Sequence, residues 1–407
     1  MKTLRILIPL LLINFYLCAQ EVPLAERGVL DLRTWNLNEQ KVALTGYWNY
    51  FENELVSDSV QKTGSLSQFP QLWNEGVQYA TYQLSILLPP NSRNLSLEIP
   101  QLYSSYQLFV NGEPLAANGK PGTSRETTTP QWLPQTVSFE HSDDTLSILL
   151  HVANFYHNKG GVKEPIYLGT PEMIQQHQSV VVNSKKAEVI ILMLLGFSFF
   201  AIYYIREERK KITFYYSLLC FSWAIRALLP NDYLFISYFP DVNWSLMVKI
   251  EYITLYSTMI WSILFLSRLF PSESSNIIKY ILVGLNCLFI VVTAVFPPIV
   301  FTQWLSVYLV VAGVLIFFAC IIVIRALIHE RTGVWFLVTC LFLGIVLFSY
   351  DIFVYEGFFS LPNPIFFSIG YISIFAILGI TLLYHLKIFK GDGASGTLTY
   401  EDLYGKN

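Results

Sequence analysis

From residue 187 onward the chain alternates long apolar runs with short polar breaks. A helix needs roughly 20 apolar residues to cross a bilayer. Runs of about that length fall at 187–205, 212–229, 250–269, 280–300, 304–324, 333–354 and 365–386. They predict an all-α seven-helix transmembrane bundle over 187–386. Before residue 187 the period changes to two. Residues 80–88 alternate and are closed by Pro89 and Pro90, and 95–99 alternate strictly. Residues 106–110 run into Asn111-Gly112, the strongest short-range hairpin signal. Residues 135–139, 145–152 and 165–168 read as further strands. Short strands separated by Pro, Gly, Asn and Ser predict an all-β sandwich over 21–170, not an α/β fold. Residues 171–186 read as a connecting helix that leads into the first span.

Composition sharpens this division. Hydrophobic residues make up 53% of the chain and charged residues 14%, against about 25% charged in soluble domains. The apolar excess lies after residue 186, so two domains of different solvent class are expected. The net charge of −3 gives no sign of nucleic-acid binding. Lys2 and Arg5, the apolar stretch Ile6–Leu17 and Cys18-Ala19-Gln20 predict a secretory signal peptide over 1–20.

Basic residues set the expected orientation. Arg206, Arg209, Lys210 and Lys211 follow the first span. Arg268 and Lys279 lie between spans three and four, Arg325 and Arg331 between five and six, and Lys387 and Lys390 after the seventh. The opposite loops hold Lys249 and no Lys or Arg in 297–304 or 355–364. The expectation is a multi-pass protein of the inner (cytoplasmic) membrane. Its N-terminal domain would be periplasmic and a short tail, 387–407, cytoplasmic.

Cys220, Cys287, Cys320 and Cys340 fall inside predicted spans, and 21–186 hold no cysteine, so the exported domain must be stable without disulfides. No Cys-His spacing points to a metal, and no cofactor is expected. G-x-S-x-G, H-E-x-x-H, Walker and G-x-G-x-x-G motifs are missing from the sequence, and an enzyme is not expected. An intramembrane hydrolase would need acids or histidines at one depth. Asp351 and His385 sit near opposite ends of their spans, more than about 20 Å apart by helix rise.

The run Thr45-Gly46-Tyr47-Trp48-Asn49-Tyr50 with Leu55 resembles the G-x-W-x-aromatic opening of exported sensor domains. Residues 80–84, 106–115 and 152–155, with Gly160-Gly161, extend the likeness. Together they resemble the jelly-roll domain of the bacterial seven-transmembrane receptors with diverse intracellular signalling modules. That domain is similar to galactose-binding-like folds. The resemblance covers nearly all of 40–390 and lies more in the architecture than in single residues. It implies a membrane receptor whose periplasmic domain binds a carbohydrate-like or envelope-derived ligand. The family usually continues into a kinase or cyclase module. Here the sequence stops at Asn407, so output is expected through a separate cytoplasmic or membrane partner. An envelope assembly factor and, behind it, a small-molecule transporter are the alternatives.

Candidate ligand contacts are aromatics beside fixed polar groups: Trp73, Tyr103, Arg125, Trp132, His151, Asn154 and His157. Trp48 is expected in the core. His151 and His157 share parity along an extended strand, although a metal pair there would lack further ligands. In the membrane half, ionisable side chains at span ends mark a polar pocket or switch: Arg226, Lys249, Glu251 and Asp351. An Arg226–Asp351 pair is the expected arrangement, with Asp232 and Glu356 in adjoining loops.

Overall fold

The computed structural model describes residues 23–57, 64–73, 76–90, 92–205, 211–229, 234–355 and 364–386. The signal segment, the tail, Asp232 and Glu356 lie outside these residues. The described chain forms two compact units. The first holds residues up to 129 together with 134–154 and 160–176; the second holds 130–133, 155–159 and everything from 177.

The first unit is a β-sandwich of eleven strands among the described residues: β1 (Val29–Asp31), β2 (Val42–Ala43), β3 (Gly46–Glu52), β4 (Ser65–Phe69), β5 (Tyr79–Leu87), β6 (Asn94–Ile99), β7 (Ser105–Val110), β8 (Glu113–Asn118), β9 (Gln135–Glu140), β10 (Thr145–Ala153) and β11 (Tyr167–Gly169). One sheet runs β4-β3-β5-β10-β7-β8, with β1 beside β5 beyond the end of β3; the other runs β2-β11-β6-β9. The alternating positions decide which face is buried. Leu146, Ile148, Leu150 and Val152 of β10 share one core with Leu95, Leu97 and Ile99 of β6, as a period of two requires. The expected hairpin is present. Asn111 and Gly112 adopt φ of 51° and 81°, the positive pair of a type I′ turn, and Val110 pairs with Glu113.

Trp48 is fully buried and stacks on Phe69 at 4.0 Å. The glycine two positions earlier has a separate reason. Gly46 has φ +122°, and a Cβ there would lie 2.3 Å from the Ala25 backbone nitrogen. A side chain would push away the segment that pairs with it. Strands β1, β2, β3, β4 and β8 are not foreseen from the pattern.

The second unit contains α1 (Pro171–Ile205), α2 (Lys211–Ala227), α3 (Leu234–Tyr238), α4 (Trp244–Leu269), α5 (Asn276–Val295), α6 (Pro298–Gln303), α7 (Leu305–Ile328), α8 (Val334–Tyr355) and α9 (Pro364–His385). Six of these helices are long and apolar enough to cross a membrane. The expected second span forms α2, whose 17 residues sit at the short end of the spanning range. The fourth span does not run to 300 as expected. It stops at Val295 because Phe296 takes the extended backbone (φ −90°, ψ 158°) that precedes a proline. A short helix then restarts at Pro298. The third span starts at Trp244, six residues before its predicted start, because the Asn243 side chain caps it by accepting from the Leu246 N–H at 3.2 Å. The predicted connecting helix and first span are one uninterrupted helix of 35 residues.

Polar bonds tie the apolar helices together. The Tyr216 hydroxyl of α2 donates to the Phe375 carbonyl of α9 at 2.6 Å. The Tyr308 hydroxyl of α7 donates to Asn286 of α5 at 3.1 Å. In lipid such bonds, with close van der Waals packing, replace the hydrophobic drive between helices.

Candidate functional site: a buried carboxylate and an apolar cavity

Glu188 lies on α1 and is 1% exposed. Its Oε2 accepts from Lys185 Nζ at 3.1 Å and from the Ser368 hydroxyl at 2.8 Å; its Oε1 accepts from the Trp223 indole N–H at 3.2 Å. One carboxylate thus joins α1, α2 and α9. A buried charge persists only when paired and hydrogen-bonded, and Glu188 is both. The sequence reading did not single out this residue. The signal was available: it is an acid one position inside the first apolar run.

The four membrane residues foreseen from the sequence lie on α2, α4 and α8. Arg226 and Asp351 line one cavity. Arg226 Nη1 donates to the Glu251 carbonyl at 3.1 Å, and no ion pair joins Arg226 to Asp351 among the described residues. The same Glu251 backbone oxygen also accepts from the Thr254 hydroxyl at 2.8 Å. Lys249 donates to the Ala294 carbonyl at 2.8 Å, at the end of α5, where a helix presents unsatisfied carbonyls and negative potential. The Tyr371 hydroxyl is within electrostatic range of Asp351, Arg226 and Glu188. Its ring lies 4.5 Å from that of Trp223. Trp223 thus bonds Glu188 and also lines the cavity.

The cavity holds about 260 Å³ between α2, α4, α7, α8 and α9. Away from Arg226 and Asp351 its wall is almost wholly apolar, including Phe265, Leu315 and Leu341. The Thr258 and Ser262 hydroxyls on that wall are turned to carbonyls of their own helix at 2.8 Å.

Five of the seven ligand candidates of the N-terminal half, Trp73, Tyr103, Arg125, His151 and Asn154, lie in the first unit. Trp73 and Asn154 do meet, because both side chains crowd Gly160; a Cβ there would lie 2.7 Å from Trp73 Cε3 and 3.1 Å from Asn154 Nδ2. The Trp73 indole donates inward to the Tyr82 hydroxyl at 2.7 Å. His151 Nε2 bonds the Val56 carbonyl at 2.7 Å and its ring meets Phe109 edge-on. Burial lowers the His151 pKa, against the Val56 bond. Tyr103 is half-buried in the β6–β7 connection, and Arg125 is exposed on a loop closed by pairing of Lys120 with Thr129.

Trp132 and His157 belong to the second unit. Trp132 is 3% exposed and meets Trp244 edge-on at 5.9 Å; Tyr156 approaches the same indole at 6.2 Å. The Gln131 amide donates to the Pro240 carbonyl at 2.8 Å, and Asn158 N–H to the Thr302 hydroxyl at 3.1 Å. Strand β10 ends at Ala153, so strand parity does not carry to His157. His157 Nδ1 accepts from the Lys159 N–H at 3.0 Å, and burial pushes its pKa down to about 4. The described residues contain no cluster of metal-ligating groups.

A second buried acid lies at the other end of the bundle. Glu273 accepts from Arg331 at 2.9 Å and from His329 at 3.0 Å, joining the α4–α5 and α7–α8 connections. Desolvation raises its pKa, but the bonds from Arg331 and His329 outweigh this and hold it below the usual range.

No curated protein matches the chain. Among solved structures, a GH2 β-galacturonidase from Eisenbergiella tayi bound to galacturonate aligns at 14% identity and TM-score 0.24, covering 32% of this chain and 24% of that one. A β-glucuronidase from Ruminococcus gnavus aligns at 10% identity and TM-score 0.26, with 32% and 28% covered. The chain thus spans about a quarter of such proteins, and likenesses this faint say nothing of its activity. Residues 189–389 match the family described as 7TM diverse intracellular signalling, and through this membrane half the chain belongs to that family of receptor-like signalling proteins.

Proposed function

We propose that this protein is a signalling receptor of the inner membrane. The β-sandwich is periplasmic, the end of α9 faces the cytoplasm, and the sandwich senses a carbohydrate-like or envelope-derived ligand. The message passes through the bundle to a cytoplasmic or membrane signalling partner. Family membership supports receptor-type signalling. The orientation is supported by Lys211, Arg268, Lys279 and Arg325, near the ends of their helices on one side, and by Arg331 in the α7–α8 connection on the same side.

One observation carries the transmission step. Helix α1 leaves β11 after a single residue, Thr170, and continues unbroken to Ile205. The Thr170 hydroxyl accepts from the Met173 N–H, a helix N-cap. A displacement at its start reaches Glu188 and, through its bonds, α2 and α9.

Binding is tested with the full-length protein in nanodiscs against soluble oligosaccharides released from the cell's own envelope. Saturable binding that weakens in Trp73→Ala supports the reading. Binding of an envelope protein and of no oligosaccharide would turn the assignment toward an assembly factor.

A further inference from the structure

We propose that the bundle cavity is a binding site for a single-chain amphiphile whose head carries both a phosphate and an ammonium group. Four observations support this occupant.

The first is length. Along α8 the lining runs from Leu337 to Asp351, about 21 Å at 1.5 Å per residue. That exceeds one leaflet's share of a hydrocarbon layer about 30 Å thick. A volume of about 260 Å³ drawn out over this length is narrow and favours one chain over two.

The second is polarity. The body of the cavity offers no spare donors, because Thr258, Ser262 and Cys340 bond helix carbonyls. A sugar there would leave its hydroxyls unpaired, at about 1–3 kcal/mol for each buried group. An alkyl chain loses nothing.

The third is the charged end. Arg226 spends one donor on the Glu251 carbonyl, and a guanidinium has five. Asp351 and the Tyr371 hydroxyl have no hydrogen bond or ion pair among the described residues, and both face the same cavity. Arg226 and Tyr371 fit a phosphate, and Asp351 fits an ammonium. Arg226 is in the last turn of α2 and Asp351 about one turn from the end of α8. The charged end is thus where lipid headgroups lie.

The fourth is Gly344. It lines the cavity, and a Cβ built on it meets no atom within 4 Å. The wall leaves room at the middle of the path a chain would take.

Trp223 links this site to Glu188, so occupancy and the α1–α2–α9 bonds share one side chain. The site stands on the cavity's own geometry and does not require the β-sandwich to bind anything.

The test uses full-length protein in nanodiscs of an uncharged detergent-like lipid, titrated with lysophosphatidylethanolamine. Binding is read by native mass spectrometry and by melting temperature. One saturable site and a rise in melting temperature are expected. Arg226→Gln and Asp351→Asn should each weaken binding about tenfold, the loss of one charge-assisted bond. The Asp351→Asn loss should vanish with lysophosphatidylglycerol, whose head has no ammonium. Gly344→Leu fills the cavity while favouring the helix, so it should fold and bind nothing; Gly344→Ala serves as a milder filling. Equal binding by a folded Gly344 variant would mean peripheral lipid and would overturn the site. So would the absence of any saturable binding to the unaltered protein.

Discussion

Glu188 takes hydrogen bonds from Lys185, Trp223 and Ser368, so its removal leaves three donors unpaired, one of them charged and one, the Ser368 hydroxyl, buried. Glu188→Ala should therefore cost about 3–5 kcal/mol, read as melting of the detergent-solubilised protein. Trp48→Ala should cost about as much, through the cavity it leaves against Phe69. An unchanged melting temperature would show that its neighbours collapse into the space. His157 gives a pH signature. Its folded pKa of about 4 lies below the ordinary 6.5, so the unfolded chain binds its proton first. The stabilisation is complete above about pH 6.5 and is lost as pH falls towards 4, by up to about 3 kcal/mol. His157→Asn should remove that part of the acid slope, and equal slopes in the two proteins would contradict the assignment. At this scale sequence legibility was uneven. Trp48 was readable as core from its motif. Trp132 and His157 read as ligand contacts because loop aromatics and imidazoles look alike in a sequence, whether they face solvent or a helix.

Between elements, the apolar periods located every long helix, yet not every end. The run 280–300 hides a break because Pro297 and Pro298 are themselves apolar, and hydropathy does not register a missing N–H. Strands shorter than four residues, such as β1 and β2, have too few positions to show alternation. Packing between helices is equally invisible in the sequence. Gly196 of α1 looks like any membrane glycine, yet a Cβ there would come 2.5 Å from the Phe221 ring of α2. Gly196→Ala should cost about 1–3 kcal/mol by overpacking, seen as a lower melting temperature that Phe221→Leu partly restores. Arg226 of α2 and Asp351 of α8 share a cavity without a direct ion pair, so a cycle of Arg226→Gln and Asp351→Asn should show coupling of about 0.5–1 kcal/mol. Strict additivity would make them independent anchors.

At the scale of the whole molecule the described chain has a β-sandwich unit and a helical unit, and the change of period near residue 187 made both legible in the sequence. The Glu188 bonds were not legible, since they depend on which faces of α1, α2 and α9 meet. The proposed orientation predicts that a C-terminal alkaline phosphatase fusion is inactive while a fluorescent protein at the same end is bright. Phosphatase activity there would reverse the topology. The central claim is that an event outside moves α1 inside. Ile205 and Ile328 are exposed residues at the same ends of α1 and α7. Spin labels at these two positions, in a background with the free cysteines replaced, report that movement in proteoliposomes. Saturating the protein with the envelope oligosaccharide pool should shift the label distance by about 1–2 Å or more, the scale of helix shifts in switching proteins. Glu188→Ala should uncouple the shift from binding. Saturable binding with an unchanged distance distribution would contradict transmission through α1.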